Sequence, residues 1–292
     1  MNSLEQFKPE KEFFIGIDSD GCVFDTMEVK HKEFFCPNTV KYFGLFAIAK
    51  YVRETWDFVN LYSVTRGINR FPALIRVMDL LSERTEVAER GVMLPDMEPL
   101  REWVAGETRL GNPVFREYVR ANPGPALERV LDWTLAINED IAKWLRDTPP
   151  FPHARKSIEK LGQVADAIVV SQTPLEALAR EWKEHAIDGF VKAIAGQEQG
   201  TKSEHIAKAA AGKYPPEKIL MIGDAPGDLK AANDNNALFF PVMPGDEDNS
   251  WRLFHDEALG RFIGGSYRGE YQERLIEAFR RSLPEKPGWQ KS

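Results

Sequence analysis

Between Phe13 and Asp25 the pattern of apolar and polar positions changes abruptly. Phe13-Phe14-Ile15-Gly16-Ile17 is an unbroken apolar run, and Asp18-Ser19-Asp20-Gly21 ends it. A run this short predicts a strand covered on both faces, with Asp18 and Asp20 emerging at its carboxyl end. From about Glu28 to Asp147 apolar residues recur three and four apart, which predicts a helical layer. VKYFGLFAIAKYVRETWDFVNLYS reads as one long amphipathic helix capped by Asn38. RFPALIRVMDLLSER predicts a second, with Pro72 tolerated in its first turn. MEPLREWVAGE, NPVFREYVRAN and GPALERVLDWTLAINEDIAKWLRD predict three more. Thr148-Pro149-Pro150-Phe151-Pro152 cannot continue a helix and marks a boundary.

Beyond Pro152 the period switches back and forth. HARKSIEKLGQVA, PLEALAREWKEHA, SEHIAKAAAGKY and GDLKAANDN have helical spacing, while DAIVVS, FVKAIAG, KILMIGD and ALFFPVM read as strands. Such alternation predicts βαβ units and a parallel sheet. With Phe13 to Asp18 it gives five strands, the first separated from the others by the whole helical block. The expected fold class is therefore α/β: a Rossmann-like parallel sheet formed by 1–26 and 149–245, with an inserted all-helical domain over 27–148. Two further helical stretches, SWRLFHDEALGRFI and GEYQERLIEAFRRSL, place 246–292 as an extension packed on the sheet domain.

Composition narrows the function classes. At 292 residues, with 43% hydrophobic and 28% charged content, the chain can bury a sizeable core. A formal net charge of -7 and the lack of any Lys/Arg-rich tract argue against nucleic acid or a membrane surface as partner. The apolar stretch Tyr42 to Val52 is too short to span a bilayer and contains Lys50. The first residues show no basic-then-apolar leader, and Cys22 and Cys36 have neither zinc spacing nor a disulfide framework. The expected compartment is a reducing cytoplasm.

Three of the later strands end in residues that the chemistry of Asp18 requires. One runs into Ser171, one into Gly223-Asp224 with Asp228 four residues on, and the strand ending near Gly196 is followed by Lys202 at a helix start. In a parallel sheet these positions share one edge with Asp18 and Asp20. Each alone has an ordinary reading: Ser171 as a strand-end cap, Lys202 as a surface cation, Asp224 and Asp228 as turn residues around Pro226-Gly227. Together, in this order, they predict a site. Asp18 and Asp20, with one residue between them, suit an oxygen-preferring cation such as Mg²⁺.

The segments DSDGCVFD, VVSQT, Lys202 before a helix, and GDAPGD resemble the four signature motifs of the haloacid dehalogenase superfamily. The helical insertion resembles the cap of the branch containing β-phosphoglucomutase and phosphoglycolate phosphatase. The resemblance implies Asp18 as nucleophile, forming an aspartyl-phosphate, and Asp20 as general acid and base. It implies Mg²⁺ between Asp18, the backbone carbonyl of Asp20 and Asp224, supported by Asp228. Lys202 would neutralise Asp18, and Ser171, or Thr173 if the strand ends two residues later, would hold the phosphoryl group. An acid at Asp20 favours phosphate-ester chemistry over dehalogenation. In the expected cap, Arg66 and Arg70 within Ser63–Arg70, and His31, are candidate substrate contacts. The expected function is a Mg²⁺-dependent phosphatase acting on a small phosphorylated metabolite. The rivals are a sugar phosphomutase of the same fold and a non-catalytic regulatory binding protein.

Overall fold

The computed structural model describes residues 4–290, so residues 1–3 and 291–292 of the expected domains lie outside the described residues. The strand β1 (Phe13–Ile17) opens the sheet. A helical segment follows, with α1 (Cys36–Tyr42), α2 (Ala49–Asn60), α3 (Arg70–Ser82), α4 (Glu98–Gly106), α5 (Asn112–Ala121) and α6 (Pro125–Trp144). The alternating part then runs α7 (Ala154–Val164), β2 (Ala165–Val170), α8 (Leu175–Glu184), β3 (Ala193–Ala195), α9 (Lys202–Ala210), β4 (Ile219–Gly223), α10 (Pro226–Asp234) and β5 (Leu238–Pro241). A helical run over 247–263 and α11 (Glu270–Ser282) complete it.

The five strands form one sheet in the order β3-β2-β1-β4-β5, and every pairing is parallel. This is the α/β architecture that the alternating periodicity predicts. Side-chain alternation explains why the strands read as continuous apolar runs. Ile15, Ile17, Val169, Leu220, Ile222 and Phe240 enter one core layer, and Phe14, Ile168, Val170, Met221 and Phe239 enter the other. At the β5 edge, side chains satisfy backbone groups that no sixth strand meets. Tyr267 donates to the Phe239 carbonyl (2.7 Å), and Gln272 Oε1 accepts from the Phe239 N–H (3.0 Å).

The chain divides into two compact units. One holds the sheet, the described residues up to Met27 together with Asp147–Leu283; the other holds Glu28–Arg146 and the described residues from Pro284 onward. The helical unit has its own core around Trp56, Trp133, Phe71 and Phe115. Two expectations are corrected here. The long helix predicted over 40–63 is two helices, because the chain reverses at Gly44 in the left-handed conformation (φ 67°) that a side chain resists. Asn38 therefore lies inside α1 instead of capping anything, and its amide donates to the Phe34 carbonyl and to Asp140.

The second correction concerns the chain's end. Trp251, Phe254, Phe262 and Tyr271 do join the sheet unit's core, but Pro284 to Gln290 belong to the helical unit. The Pro284 carbonyl accepts from the Val64 N–H, and Trp289 packs edge-on to Phe58 and beneath the Arg84 guanidinium. No helix among the described residues is long and apolar enough to cross a membrane.

His205, on α9, is fully buried, and neither ring nitrogen makes a well-formed hydrogen bond. Burial, with Lys208 adding to it, lowers its pKa to about 4. The folded state then stays neutral while the unfolded chain protonates, so stability is full above the ordinary histidine pKa and falls as pH drops toward 4. From pH 7 to 4.5 the native chain should lose about 2–3 kcal/mol more than His205→Leu in denaturant unfolding. Parallel pH profiles for the two proteins would contradict this.

Candidate active site

The carboxyl ends of β1 and β4 bring four charged groups together. The Asp18 N–H donates to the Ile222 carbonyl (2.9 Å), which extends the β1–β4 pairing by one residue and locks Asp18 to the sheet edge. Lys202, the first residue of α9, is positioned by the cap of that helix. Thr201 accepts from the Glu204 N–H, and Glu204 accepts in return from the Thr201 N–H. Lys202 Nζ lies 2.8 Å from Asp18 Oδ2 and 2.6 Å from Asp228 Oδ1. The other Asp228 oxygen accepts from the backbone N–H groups of Asp224 (3.1 Å) and Ala225 (3.0 Å). Asp228 thus ties the β4–α10 turn and the lysine to one carboxylate.

Gly223 makes this arrangement sterically possible. A β-carbon there would stand 2.3 Å from Asp228 Cβ and 2.5 Å from its Oδ2. The glycine ending β4 is required because the Asp228 side chain fills that space.

Asp18, Asp224 and Asp228 are all buried, and each offers an oxygen within 4.8 Å of the others. One lysine faces these three carboxylates. Burial raises the Asp18 carboxyl well above the usual carboxylate range; Lys202 opposes this, and Asp228 and Asp224 add to it. Burial alone would depress Lys202, but Asp18 and Asp228 hold it above its ordinary value. Hard oxygen donors with surplus negative charge fit a divalent cation, which would relieve the repulsion that burial magnifies.

Asp20 sits apart from this cluster and is held differently. Thr26 Oγ1 donates to its Oδ1 (2.5 Å) and Thr173 Oγ1 to its Oδ2 (2.7 Å). The turn between Asp18 and Thr26 is tight. The Ser19 carbonyl accepts from the N–H groups of Cys22, Val23 and Phe24, and Gly21 takes φ 75°. Ser171, buried at the end of β2, accepts from the Thr173 N–H (3.2 Å) through Oγ. Ser171 and Thr173 therefore divide the work between them: the serine fixes the loop and the threonine fixes Asp20. Thr26 is absent from the sequence reading. Its signal was its place one residue beyond the acidic stretch, where a hydroxyl can turn back on Asp20.

The remaining expected site residues lie in the helical unit. His31 stacks on Phe35 (centroids 4.8 Å apart), and its Nδ1 accepts from Trp56 Nε1 (3.1 Å). Arg66 is buried and donates to the Leu61 carbonyl (2.8 Å). Arg70 also packs on Phe35 and donates to Thr134 and Asn138.

Gly223→Ala should destabilise the protein by about 2 kcal/mol or more, since the new methyl displaces Asp228. Gly227→Ala, four residues on within α10 and with open space around it, should be neutral or stabilising by up to about 1 kcal/mol. Denaturant unfolding of the two variants checks this, and equal effects would contradict the steric account.

No family model matches the chain, and no curated protein is similar to it in sequence. Solved structures are similar to it in fold. A haloacid dehalogenase-like family hydrolase from Streptococcus pneumoniae is 15% identical, with 84% of this chain and 91% of that one covered at a TM-score of 0.44. A HAD-superfamily hydrolase of subfamily IA from Geobacter sulfurreducens is 12% identical, covering 82% and 91% at 0.40. A HAD-superfamily hydrolase from Ehrlichia chaffeensis is 11% identical, covering 85% and 98% at 0.38. All three of these structures are described as haloacid dehalogenase-type hydrolases.

Proposed function

We propose that the chain is a Mg²⁺-dependent phosphatase that hydrolyses a small phosphorylated metabolite through an aspartyl-phosphate at Asp18. The observation that carries this reading is the pairing of Asp18 with Lys202 at 2.8 Å in a buried site, with a second acid, Asp20, two residues away on its own pair of hydroxyls. A nucleophilic carboxylate must be ionised, and the Lys202 ammonium favours that form against burial.

In the first step an Asp18 oxygen forms a bond to phosphorus as the bond to the leaving oxygen breaks, and Asp20 gives that oxygen its proton. In the second, Asp20 as carboxylate takes a proton from water, whose oxygen attacks the phosphorus of the aspartyl-phosphate. Inorganic phosphate leaves and Asp18 is restored as carboxylate. Two hydroxyl donors on Asp20 fix its direction in both steps, which suits a group that alternates between acid and base. Lys202 carries positive charge beside the phosphoryl group throughout, and the Ser171 hydroxyl is a candidate hydrogen bond to it. Asp18, Asp224, Asp228 and the Asp20 backbone carbonyl would hold Mg²⁺, whose chemistry is to offset charge on the phosphoryl oxygens. His31, Arg66 and Arg70 are the candidate contacts for the rest of the substrate.

The test is phosphate release from a panel of phosphorylated metabolites, with and without Mg²⁺, by the native chain and Asp18→Asn. Release should require the metal and fall by about a thousandfold or more in the variant. Transfer of phosphate between positions of a sugar without release would favour a mutase. A chain that binds but neither releases nor transfers phosphate would contradict an enzymatic role.

A further inference from the structure

Two buried indoles reach the loop that carries Asp18 and Asp20. Trp182, in the last turn of α8, donates through Nε1 to the Ser19 hydroxyl (2.9 Å), and Trp251, in the helical run over 247–263, donates to the Cys22 carbonyl (2.7 Å). Both rings and both acceptor residues are shut off from solvent. A buried indole N–H needs an acceptor, and any backbone carbonyl would serve. Here the two acceptors lie three residues apart in one turn, and one of them is a side chain set between the two acids. The Ser19 hydroxyl has little other use, since the acceptor for its own proton, Glu181 Oε2, lies at 3.5 Å. A small apolar side chain would fill that buried position without a polar group to satisfy.

The bonds within the loop fix its shape and not its direction. The Ser19 carbonyl gathers the N–H groups of Cys22, Val23 and Phe24, and the Gly21 N–H donates to the Phe24 carbonyl (2.8 Å), so residues 19–24 move as one body. The backbone ties of that body to the sheet unit stand at its entry, from the Asp18 N–H to the Ile222 carbonyl (2.9 Å), and at its exit, from the Phe151 N–H to the Val23 carbonyl (2.8 Å). A body held at two points still turns about the line through them. The indoles add holds on the Ser19 side chain and on Cys22, and the Trp182 ring also meets Phe24 edge-on, with centroids 6.1 Å apart. Neighbouring residues 19 and 20 are thereby gripped by one stretch of chain, because Thr173, just before α8, donates to Asp20 (2.7 Å).

We propose that Trp182 and Trp251 are positioning residues, whose indole N–H groups set the direction of the Asp18–Asp25 loop and hold Asp20 on the line its proton transfers need. The inference rests on the phosphatase reading for what Asp20 does, and on the hydrogen bonds alone for where Asp20 is held. Neither indole touches the reacting atoms; both act through Ser19 and Cys22.

The test compares the native chain with Ser19→Ala, Trp182→Phe, the double variant and Trp251→Phe, by steady-state phosphate release and by carbon-13 resonance of the aspartate carboxyl groups. The Asp20 signal is assigned by its loss in Asp20→Asn. Ser19→Ala removes the acceptor without adding volume, and it should lower kcat by about tenfold or more with KM changed by less than about twofold. It should also move the Asp20 carboxyl signal in the absence of substrate. The double variant should match either single variant in kcat, because one bond is lost in all three. Trp251→Phe, which leaves the Cys22 carbonyl without its indole, should move the same signal and lower kcat likewise. A merely structural bond lowers the thermal unfolding midpoint, by about 4 °C for one orphaned donor, and leaves the kcat of the folded chain unchanged. A native chain that releases no phosphate would sink the hydrolytic reading alone, since the Asp20 signal still decides the positioning. An Asp20 signal that Ser19→Ala and Trp251→Phe leave in place, or an unchanged kcat in a chain that does release phosphate, would overturn the proposal.

Discussion

The contact between the Lys202 ammonium and the carboxylates of Asp18 and Asp228 is the constraint on which the sheet unit's design depends. Charged groups this deeply buried are costly unless paired, so the elements carrying them must arrive in register. Asp18 comes from the position just after β1, Lys202 from the first turn of α9, and Asp228 from the first turn of α10. Each depends on a local device: the Asp18–Ile222 backbone bond, the reciprocal Thr201–Glu204 cap, and the missing β-carbon at Gly223. The surplus of carboxylate over ammonium that remains is not a flaw in packing. It is a charge that suits a divalent cation.

The same economy separates the two acids of the first loop. Asp18 is buried against a lysine, and Asp20 is less buried and held by neutral hydroxyls. Two carboxylates with one residue between them thereby meet different environments, as the proposed acid–base partner and nucleophile require. The tight turn around the Ser19 carbonyl sets this difference, because it swings Asp20 toward Thr26 while Asp18 continues the line of β1.

Much of this was legible in the sequence, for a physical reason. A parallel sheet covered on both faces produces uninterrupted apolar runs, and polar residues that end such runs are conspicuous. The strands, the five-stranded sheet and the positions of Asp18, Ser171, Lys202, Asp224 and Asp228 follow from that contrast. Where the pattern is locally ambiguous the reading failed. Gly44 splits a helix whose periodicity continues on either side, and only its backbone dihedral reveals the reversal. The docking of Trp289 beside Arg84 and Phe58 joins residues about 200 apart in sequence, which no local period encodes. Thr26 offered only its place beside the acidic stretch. That its hydroxyl meets Asp20 is a property of three-dimensional donor and acceptor balance.

The proposed phosphatase chemistry stands on Asp18 being a nucleophile and not merely a ligand in an acidic cluster. Its most direct test is reductive trapping during turnover: borohydride added to the native chain with Mg²⁺ and a hydrolysed phosphate ester, followed by peptide mass spectrometry. Conversion of Asp18 to homoserine is expected, with Asp20, Asp224 and Asp228 unmodified. Phosphate release at full rate with Asp18 intact after trapping would contradict it.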